Sequence, residues 1–235
     1  MKTIAFFSFL LFLGLMSTQG IAQKSGFSAP PRIKSTYVIK TQGQNDSSYQ
    51  LIELRSLMPE LVYDLRYATK NNFTQQRLYP KNTQVAYLRL PAARALQTVQ
   101  LKLNQKGLGL KIYDAYRPYA VTVKFWNLIK DERYVATPSK GSGHNRGTAV
   151  DLTIINLSTG KELDMGTGYD DFSEKAHHNF QELSNEILAN RNLLRSLLLE
   201  AGFVPFETEW WHFSLPNATR FDLLDLSFKK IKRNL

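Results

Sequence analysis

Two histidines and two acidic residues stand at spacings that could build a metal-dependent hydrolytic site. His144 and Asp151 lie seven residues apart, and Glu209 precedes His212 by three residues. Two imidazoles and one carboxylate from His144, Asp151 and His212 would supply three protein ligands and leave a fourth position open, which is the pattern of a catalytic zinc site. A carboxylate beside a metal-bound water can take its proton and pass it to a leaving amine, and Glu209 is the candidate for this role.

Asp151 stands in an unusual place for a carboxylate. The apolar run Val150 to Ile155 predicts a buried strand, and Asp151 lies within it. Because an unpaired buried carboxylate is costly, this side chain requires either a bound cation or a hydrogen-bonded structural role. Taken alone, the pair His144 and Asp151 favours the structural role, and an isolated histidine favours a hydrogen-bonded place in the core. Gly147 lies between the two and predicts a tight turn that would bring them to one ion.

Glu209 and His212 share a β-rich run between Pro205 and Pro216. In an ideal strand, residues three apart face opposite sides. A shared site therefore requires that Glu209 lies on a loop at the mouth of the site or on a β-bulge, or that the strand twists sharply. A regular strand with the two side chains diverging would weaken the hypothesis.

Arg117 is a second candidate for chemistry. It follows an apolar strand predicted over residues 108–112 and directly precedes Pro118, which would place a fixed cation where it could stabilise an oxyanion. Its spacing alone favours an ordinary surface arginine. The other two histidines, His177 and His178, are adjacent in a polar segment where successive side chains diverge, so we expect surface or supporting residues rather than ligands.

Composition limits the remaining possibilities. The 235 residues suit one domain with a sizeable core, and the absence of cysteine excludes disulfides, thiolate zinc sites and cysteine nucleophiles. The net charge of +10 could favour nucleic acid, anionic glycan or an acidic membrane surface. The basic residues are scattered, however, apart from residues 229–233, which we interpret as a solvated tail. We therefore expect no nucleic-acid partner.

The N-terminus has the pattern of a secretory signal. Lys2 precedes the apolar run Ile4 to Met16, and the small residues Gly20 and Ala22 form a cleavage region. The run is short for a membrane span, so we predict a signal peptide over residues 1–22, cleaved after Ala22, although an uncleaved anchor is the alternative. The mature protein would then be periplasmic or secreted, without a stable membrane span. Residues 23–35, with two prolines, predict a linker.

Residues 36–235 predict a single α+β domain. Strands are predicted at residues 37–39, 49–54, 61–67, 108–112, 150–155 and 207–215. Helices are predicted from residue 90 to a stop at Gly107, over residues 121–129, and from residue 184 to residue 201; residues 71–82 form a long loop. Because the connections are of hairpin length, we expect a central, largely antiparallel sheet flanked by helices.

Four stretches of the chain resemble one known family. They are residues 64–69 with Asn72 and Phe73, residues 114–118, residues 142–153 and residues 209–212. The pattern Ser-x-His-x-x-Gly-x-Ala-x-Asp, followed later by Glu-x-Trp-His, is similar to the zinc D,D-peptidases. The closer resemblance is to the D-alanyl-D-alanine dipeptidases found in vancomycin resistance and cell-wall recycling. It spans about residues 60 to 215, and it implies a hedgehog/D,D-peptidase-like fold.

The resemblance implies a role for each candidate of the reacting centre. His144, Asp151 and His212 would bind one Zn²⁺ per chain. Glu209 would be the general acid and base, and Arg117 would stabilise the oxyanion.

The resemblance also implies a substrate. Ser142 would contribute to the substrate pocket, and Asp170 would receive the free ammonium of a dipeptide, although the adjacent Asp171 leaves open which of the two faces the site. The implied reaction is hydrolysis of D-alanyl-D-alanine, a small-molecule partner, to two D-alanines. The alternatives are a D,D-carboxypeptidase acting on peptidoglycan stem peptides and a zinc-stabilised binding module without activity. The sequence does not predict an oligomeric state.

Overall fold

A five-stranded sheet crosses the centre of the computed structural model, which describes residues 29–234. The strands are β1 (Arg32–Ile33), β2 (Leu51–Glu53), β3 (Val62–Tyr63), β4 (Tyr87–Arg89), β5 (Leu108–Asp114), β6 (Ala149–Asn156), β7 (Val204–Phe206), β8 (Glu209–Ser214) and β9 (Leu223–Leu224). The helices are α1 (Thr36–Asn45), α2 (Leu90–Asn104), α3 (Tyr119–Leu128), α4 (Gly143–Arg146), α5 (Asn185–Glu200) and α6 (Phe228–Asn234).

The central sheet has the strand order β3-β5-β6-β8-β7. Only β3 and β5 are parallel; the other neighbours are antiparallel, which confirms the predicted largely antiparallel α+β architecture. Strand β6 lies in the middle and is buried from Ala149 to Ile155. A strand covered on both faces appears in the sequence as a continuous apolar run, and Asp151 is the acidic exception within it.

Two long helices flank the sheet where the periodicity predicted them. Helix α2 has Pro91 in its first turn and packs on β5, and Gly107 follows its end with φ 69°. Helix α5 packs on β7 and β8. Its N-cap is Ser184, whose Oγ accepts a hydrogen bond from the Ile187 N–H at 3.3 Å. Both helices therefore confirm the sequence interpretation.

Three local predictions are wrong. The strand expected at residues 37–39 is part of α1, because the buried residues Ile39 and Gly43 lie four apart and so share one helical face. The strand expected at residues 61–67 is reduced to β3. After β3, the Asp64 N–H donates a hydrogen bond to the Ile112 carbonyl oxygen of β5 at 2.9 Å. The chain then forms a 3₁₀ helix over Arg66–Ala68, in which Tyr67 is buried.

The third correction concerns the basic tail. Residues 229–233 belong to α6, in which Phe228 and Ile231 are buried while the lysines face solvent. The Phe228 ring packs against Tyr79 at 4.8 Å between centroids, so this segment is an amphipathic helix docked on the core rather than a solvated tail.

The N-terminal region is described only in part. The predicted signal peptide lies outside the described residues. Within the stretch predicted as a linker, β1 pairs with β9, so residues 32 and 33 are part of the fold. Among residues 29–234, no helix combines the length and apolar character needed to cross a membrane.

Candidate active site

Strand register brings three polar side chains into one row. Asp151 on β6 lies opposite His212 on β8 and beside Asp114 on β5. A bulge at Tyr113, between Ile112 and Asp114, shifts the β5 register at this point. Because directly paired residues of neighbouring strands project to the same face, the row places three titratable groups side by side in an otherwise apolar sheet.

His144 joins this row from the short helix α4. The Oγ of Ser142 accepts a hydrogen bond from the His144 N–H at 3.0 Å, and Asn145 Oδ1 accepts one from the Ser142 N–H at 3.0 Å. These two bonds form a capping box. Gly147 ends the helix with φ 74°, and a Cβ there would lie 3.1 Å from Leu51. The predicted glycine turn between His144 and Asp151 is therefore confirmed.

The donor atoms of His144, Asp151 and His212 fit a metal ion. His144 Nδ1–H donates to the Ala115 carbonyl oxygen at 2.7 Å, which leaves its Nε2 lone pair free. This Nε2 lies 3.3 Å from Asp151 Oδ1 and 3.2 Å from His212 Nδ1, and the latter two atoms are 2.9 Å apart. The corners of a zinc tetrahedron are about 3.3 Å apart for ligand bonds of 2.0–2.1 Å. The three residues can therefore bind one metal ion.

The protonation states suit the same purpose. Burial raises the pKa of the Asp151 carboxyl, but its interactions with His144 and His212 lower it more, so the pKa lies below its usual range. Burial lowers the pKa of His212. An ionised carboxylate and a neutral imidazole are the forms that bind metal.

Glu209 reaches the site through a break in strand pairing. Pro205 on β7 pairs with Phe213, but the next residue, Phe206, pairs with Glu209. Residues 210–212 of β8 therefore have no pairing partner on β7. This shift in strand register turns Glu209 toward the site. Its Oε2 lies 3.9 Å from His212 Nδ1. The prediction that a bulge or twist separates the two residues is confirmed.

The Glu209 carboxyl is buried and lies close to other acids. Burial, followed by the charges of Asp151 and Asp170, raises its pKa well above the usual range. General acid–base catalysis is most efficient when the pKa of the group lies close to the working pH, and burial shifts the pKa of Glu209 in that direction.

Arg117 is buried, which contradicts the surface position that its spacing favoured. Its Nε and Nη2 lie 2.8 and 2.7 Å from Asp114 Oδ2, and Tyr79 donates its hydroxyl to Asp114 Oδ1 at 2.6 Å. Asn145 Nδ2 donates to the Arg117 carbonyl oxygen at 2.9 Å. The guanidinium is therefore fixed in place, with Nη2 only 3.6 Å from Asp151 Oδ2.

Asp170, rather than Asp171, faces the cavity. Its backbone is left-handed, with φ 62°, and its Oδ1 accepts a hydrogen bond from the Tyr67 hydroxyl at 3.0 Å. Its Oδ2 lies 3.4 Å from the Phe73 N–H, and burial raises its pKa to about 7. Asp171 instead caps a turn by accepting from the Ser173 N–H at 2.8 Å. The structure thus resolves the alternative that the sequence left open.

One cavity of about 290 Å³ connects these groups. Its polar and charged lining residues are Arg117, Glu132, Thr137, Lys140, Ser142, His144, Asp151, Asp170, Glu209 and His212. Most of its apolar lining is aromatic: Tyr67, Phe73, Phe125, Tyr134, Phe172, Phe206 and Trp211. This volume is at the small end of the range of about 300–1,000 Å³ for ligand pockets, so it suits a small polar molecule.

Sequence reasoning missed several residues that hold the site together. Asp114 carries the same signal as Asp151, a carboxylate inside an apolar strand, and could have been found from it. Asn145 and Tyr67 lie in the stretches that resemble the family, but the sequence does not predict their hydrogen bonds to the Arg117 carbonyl oxygen and to Asp170. Tyr79 lies in a polar loop, and no sequence pattern predicts that its hydroxyl binds Asp114. His177 and His178 do not line the cavity, which agrees with their expected supporting place.

Comparison with known proteins identifies the family. The profile of peptidase family M15, described as D-ala-D-ala dipeptidase, matches residues 47–232. The chain belongs to this family. It is therefore a peptidase, and both the family and the enzyme class expected from the sequence are confirmed.

Individual relatives within the family align over most of their length. A D-alanyl-D-alanine dipeptidase of Escherichia coli (strain K12) is 37% identical over 175 residues, which is 74% of this chain and 89% of the relative. The enzyme of the same name from Enterococcus faecium is 35% identical over 173 residues, or 65% of this chain and 85% of the relative.

Two solved structures show a more distant similarity. A vancomycin-resistance D,D-pentapeptidase in complex with Zn(II) is 15% identical with a TM-score of 0.38, over 59% of this chain and 79% of that one. An LD-carboxypeptidase that recognises peptidoglycan is 21% identical with a TM-score of 0.36, over 63% of this chain and 70% of that one. Both are too distant to inform the arrangement of the site.

Proposed function

We propose that the protein is a zinc-dependent dipeptidase that hydrolyses D-alanyl-D-alanine to two molecules of D-alanine. One observation carries the proposal: a small cavity joins the three metal-binding side chains to Glu209 and, beyond them, to the carboxylate of Asp170. Relatives of the chain that align over most of their length are named D-alanyl-D-alanine dipeptidases, which supports the substrate.

His144, Asp151 and His212 are the residues that would hold the zinc. When bound there, zinc supplies a Lewis acid for the scissile carbonyl and lowers the pKa of a water molecule. Glu209 accepts a proton from the attacking water and returns it to the nitrogen of the leaving D-alanine as the amide C–N bond breaks. Arg117, held by Asp114, donates hydrogen bonds to the oxyanion of the tetrahedral intermediate.

Substrate selection depends on Asp170. A free dipeptide carries an ammonium group, whose charge and hydrogen bonds would favour the ionised form of this carboxyl. In an N-acylated peptide the same nitrogen is neutral and bulky, so the carboxylate is left without its partner. Ser142 lines the same cavity and would contribute to the substrate pocket from the metal side.

Two measurements on the purified mature protein test this proposal. Elemental analysis should find one zinc per chain. Hydrolysis should be roughly 30-fold to 150-fold faster in kcat/KM for D-alanyl-D-alanine than for its N-acetyl form, because a buried charge left unpaired costs about 2–3 kcal/mol. The Asp170→Asn variant should lose most of this preference. Strong preference for the acetylated substrate would indicate a D,D-carboxypeptidase, and zinc binding without hydrolysis would indicate a binding module.

We also propose that the mature protein is exported. The sequence over residues 1–22 supports this with its basic, apolar and small-residue regions. Fractionation of cells that express the full chain, with mass spectrometry of the exported product, should find an N-terminus at residue 23. Retention of the intact N-terminus in the membrane fraction would support the uncleaved anchor instead.

A further inference from the structure

The two oxygens of Asp151 have different partners. Oδ1 faces the donor nitrogens of His144 and His212, at 3.3 and 2.9 Å. Oδ2 accepts a hydrogen bond from the Tyr169 hydroxyl at 3.0 Å and has Arg117 Nη2 at 3.6 Å. The carboxylate therefore presents one oxygen to the metal position, while a phenol and a guanidinium hold the other.

Tyr169 is itself fixed by packing. Its ring lies against Tyr113 at 4.7 Å and Trp211 at 5.5 Å between centroids. An aromatic ring between two others has few alternative rotamers, so its hydroxyl is delivered to Asp151 in one orientation. Tyr169 immediately precedes Asp170. Two consecutive residues therefore have linked tasks: Tyr169 contacts the carboxylate of Asp151, and Asp170 is the candidate acceptor for the ammonium group.

A second phenol connects these two acids. The Tyr169 hydroxyl oxygen lies 3.0 Å from that of Tyr67, which lies 3.0 Å from Asp170 Oδ1. The path from Asp151 to Asp170 contains three oxygen–oxygen contacts but only two hydroxyl protons. With both acids ionised, one contact must lack a hydrogen. An ammonium that donates to Asp170 would free Tyr67 to donate to Tyr169, which in turn donates to Asp151.

We propose that Tyr169 is a positioning residue that holds Asp151 as a one-oxygen metal ligand and that, through Tyr67, it couples metal binding to the occupancy of Asp170. The proposal rests on the proposed function for the identity of the metal and of the ammonium. Hydrogen bonds to a ligating carboxylate fix its orientation, and their removal lowers metal affinity by about 10-fold to 100-fold in other proteins.

The first test measures metal affinity without substrate. Tyr169→Phe keeps the ring and removes the hydroxyl. The matched control is Tyr113→Phe, which removes a hydroxyl from the ring that packs on Tyr169. Competition with a chelator should show zinc bound about 10-fold to 100-fold more weakly by Tyr169→Phe and unchanged by the control. The visible spectrum of the cobalt(II)-substituted protein should shift only in Tyr169→Phe.

An unchanged affinity and an unchanged cobalt spectrum in Tyr169→Phe would overturn the positioning role. Thermal unfolding of the metal-free proteins separates this result from misfolding. If the wild-type protein itself binds no zinc, the proposed function fails as well. If the wild-type protein and Tyr169→Phe bind zinc equally, only this inference fails.

The second test measures the coupling. D-Alaninamide carries the ammonium group, and N-acetyl-D-alaninamide lacks it. The first compound should slow the loss of zinc to a chelator several-fold in the wild-type protein, and the second should not. In Tyr67→Phe and in Tyr169→Phe this effect should disappear. An equal effect in these variants, or no effect in the wild-type protein, would overturn the coupling.

Discussion

The two ends of the cavity are built in different ways. The strand end consists of Asp151, Glu209 and His212, which lie on the neighbouring strands β6 and β8. The loop end consists of Phe73 and Asp170, which lie outside the helices and strands and meet through one long hydrogen bond of 3.4 Å. Strand register places His212 Nδ1 2.9 Å from Asp151 Oδ1, and the register shift between β7 and β8 brings Glu209 Oε2 to 3.9 Å from the same nitrogen. The loop end instead depends on irregular backbone, including a left-handed aspartate.

This difference matches the two tasks of the proposed reaction. Chemistry requires reacting groups to be held to fractions of an ångström, and paired strands provide that rigidity. Selection of the substrate requires a pocket that can differ between related enzymes, and loops provide that freedom. We therefore expect substitutions at the strand end to change kcat and substitutions at the loop end to change KM and stability.

The largest effect is expected at Glu209. Glu209→Gln keeps the shape of the side chain but cannot accept a proton, so kcat should fall about a thousandfold. Zinc content should remain at the wild-type level, because Glu209 is not one of the three residues proposed to hold the metal. Steady-state kinetics and elemental analysis on the same sample check both points. Hydrolysis at the wild-type rate would contradict the mechanism.

A smaller effect is expected at Asp114, which acts through Arg117. Asp114→Asn weakens the ion pair that holds the guanidinium, so kcat should fall about 100-fold while KM changes little, as for an interaction made in the transition state. Tyr79→Phe is the matched control. It removes the 2.6 Å hydrogen bond to the other oxygen of Asp114 but leaves the ion pair in place, so kcat should fall less than tenfold. If KM rises in Asp114→Asn while kcat is unchanged, Arg117 binds the substrate in its ground state and does not stabilise the transition state specifically.

The loop end should show a conflict between stability and function at Asp170. Burial raises the pKa of this carboxyl to about 7 in the folded protein, above the ordinary value of 3.8. The folded state therefore binds the proton more tightly than the unfolded state. The resulting stabilisation is present below about pH 4 and is lost as the pH rises through about 7.

Asp170→Asn cannot ionise, so it should be more stable than the wild-type protein at pH 8 by about 1–3 kcal/mol, with the difference shrinking toward pH 4. Denaturant unfolding of the metal-free proteins at several pH values measures this difference. A variant that is less stable than the wild-type protein at pH 8 would show that the ionised carboxylate is well accommodated in the free enzyme.

The same contrast explains what the sequence could reveal. Asp151 was recognisable because a carboxylate inside an apolar strand is rare enough to require a partner, and strand pairing then made His212 its neighbour. Asp114 obeys the same rule. Gly147 was recognisable because a tight turn needs a left-handed residue.

Sequence patterns predict less about the loop end of the cavity. Tyr67 and Tyr169 are 102 positions apart, and no local pattern shows that their hydroxyls meet at 3.0 Å. The sequence predicts a strand at residues 37–39 because β-branched residues dominate there, whereas these residues begin the helix Thr36–Asn45, in which Ile39 and Gly43, four positions apart, are buried. Contacts between irregular segments depend on the assembled core, which short-range sequence patterns do not encode.

The smallest effect is expected at Ser142, which precedes α4 and belongs to neither end of the cavity as defined above. Its Oγ caps α4 and so holds His144, but the same side chain lines the cavity. Ser142→Ala should lower the free energy of unfolding by about 1 kcal/mol, and Ser142→Asn, which can also cap a helix, should restore most of it. If the hydroxyl only shapes the loop, Ser142→Asn should also restore kcat and KM. If KM stays raised in Ser142→Asn while stability recovers, Ser142 contacts the substrate, and the segment that positions His144 then takes part in substrate binding as well.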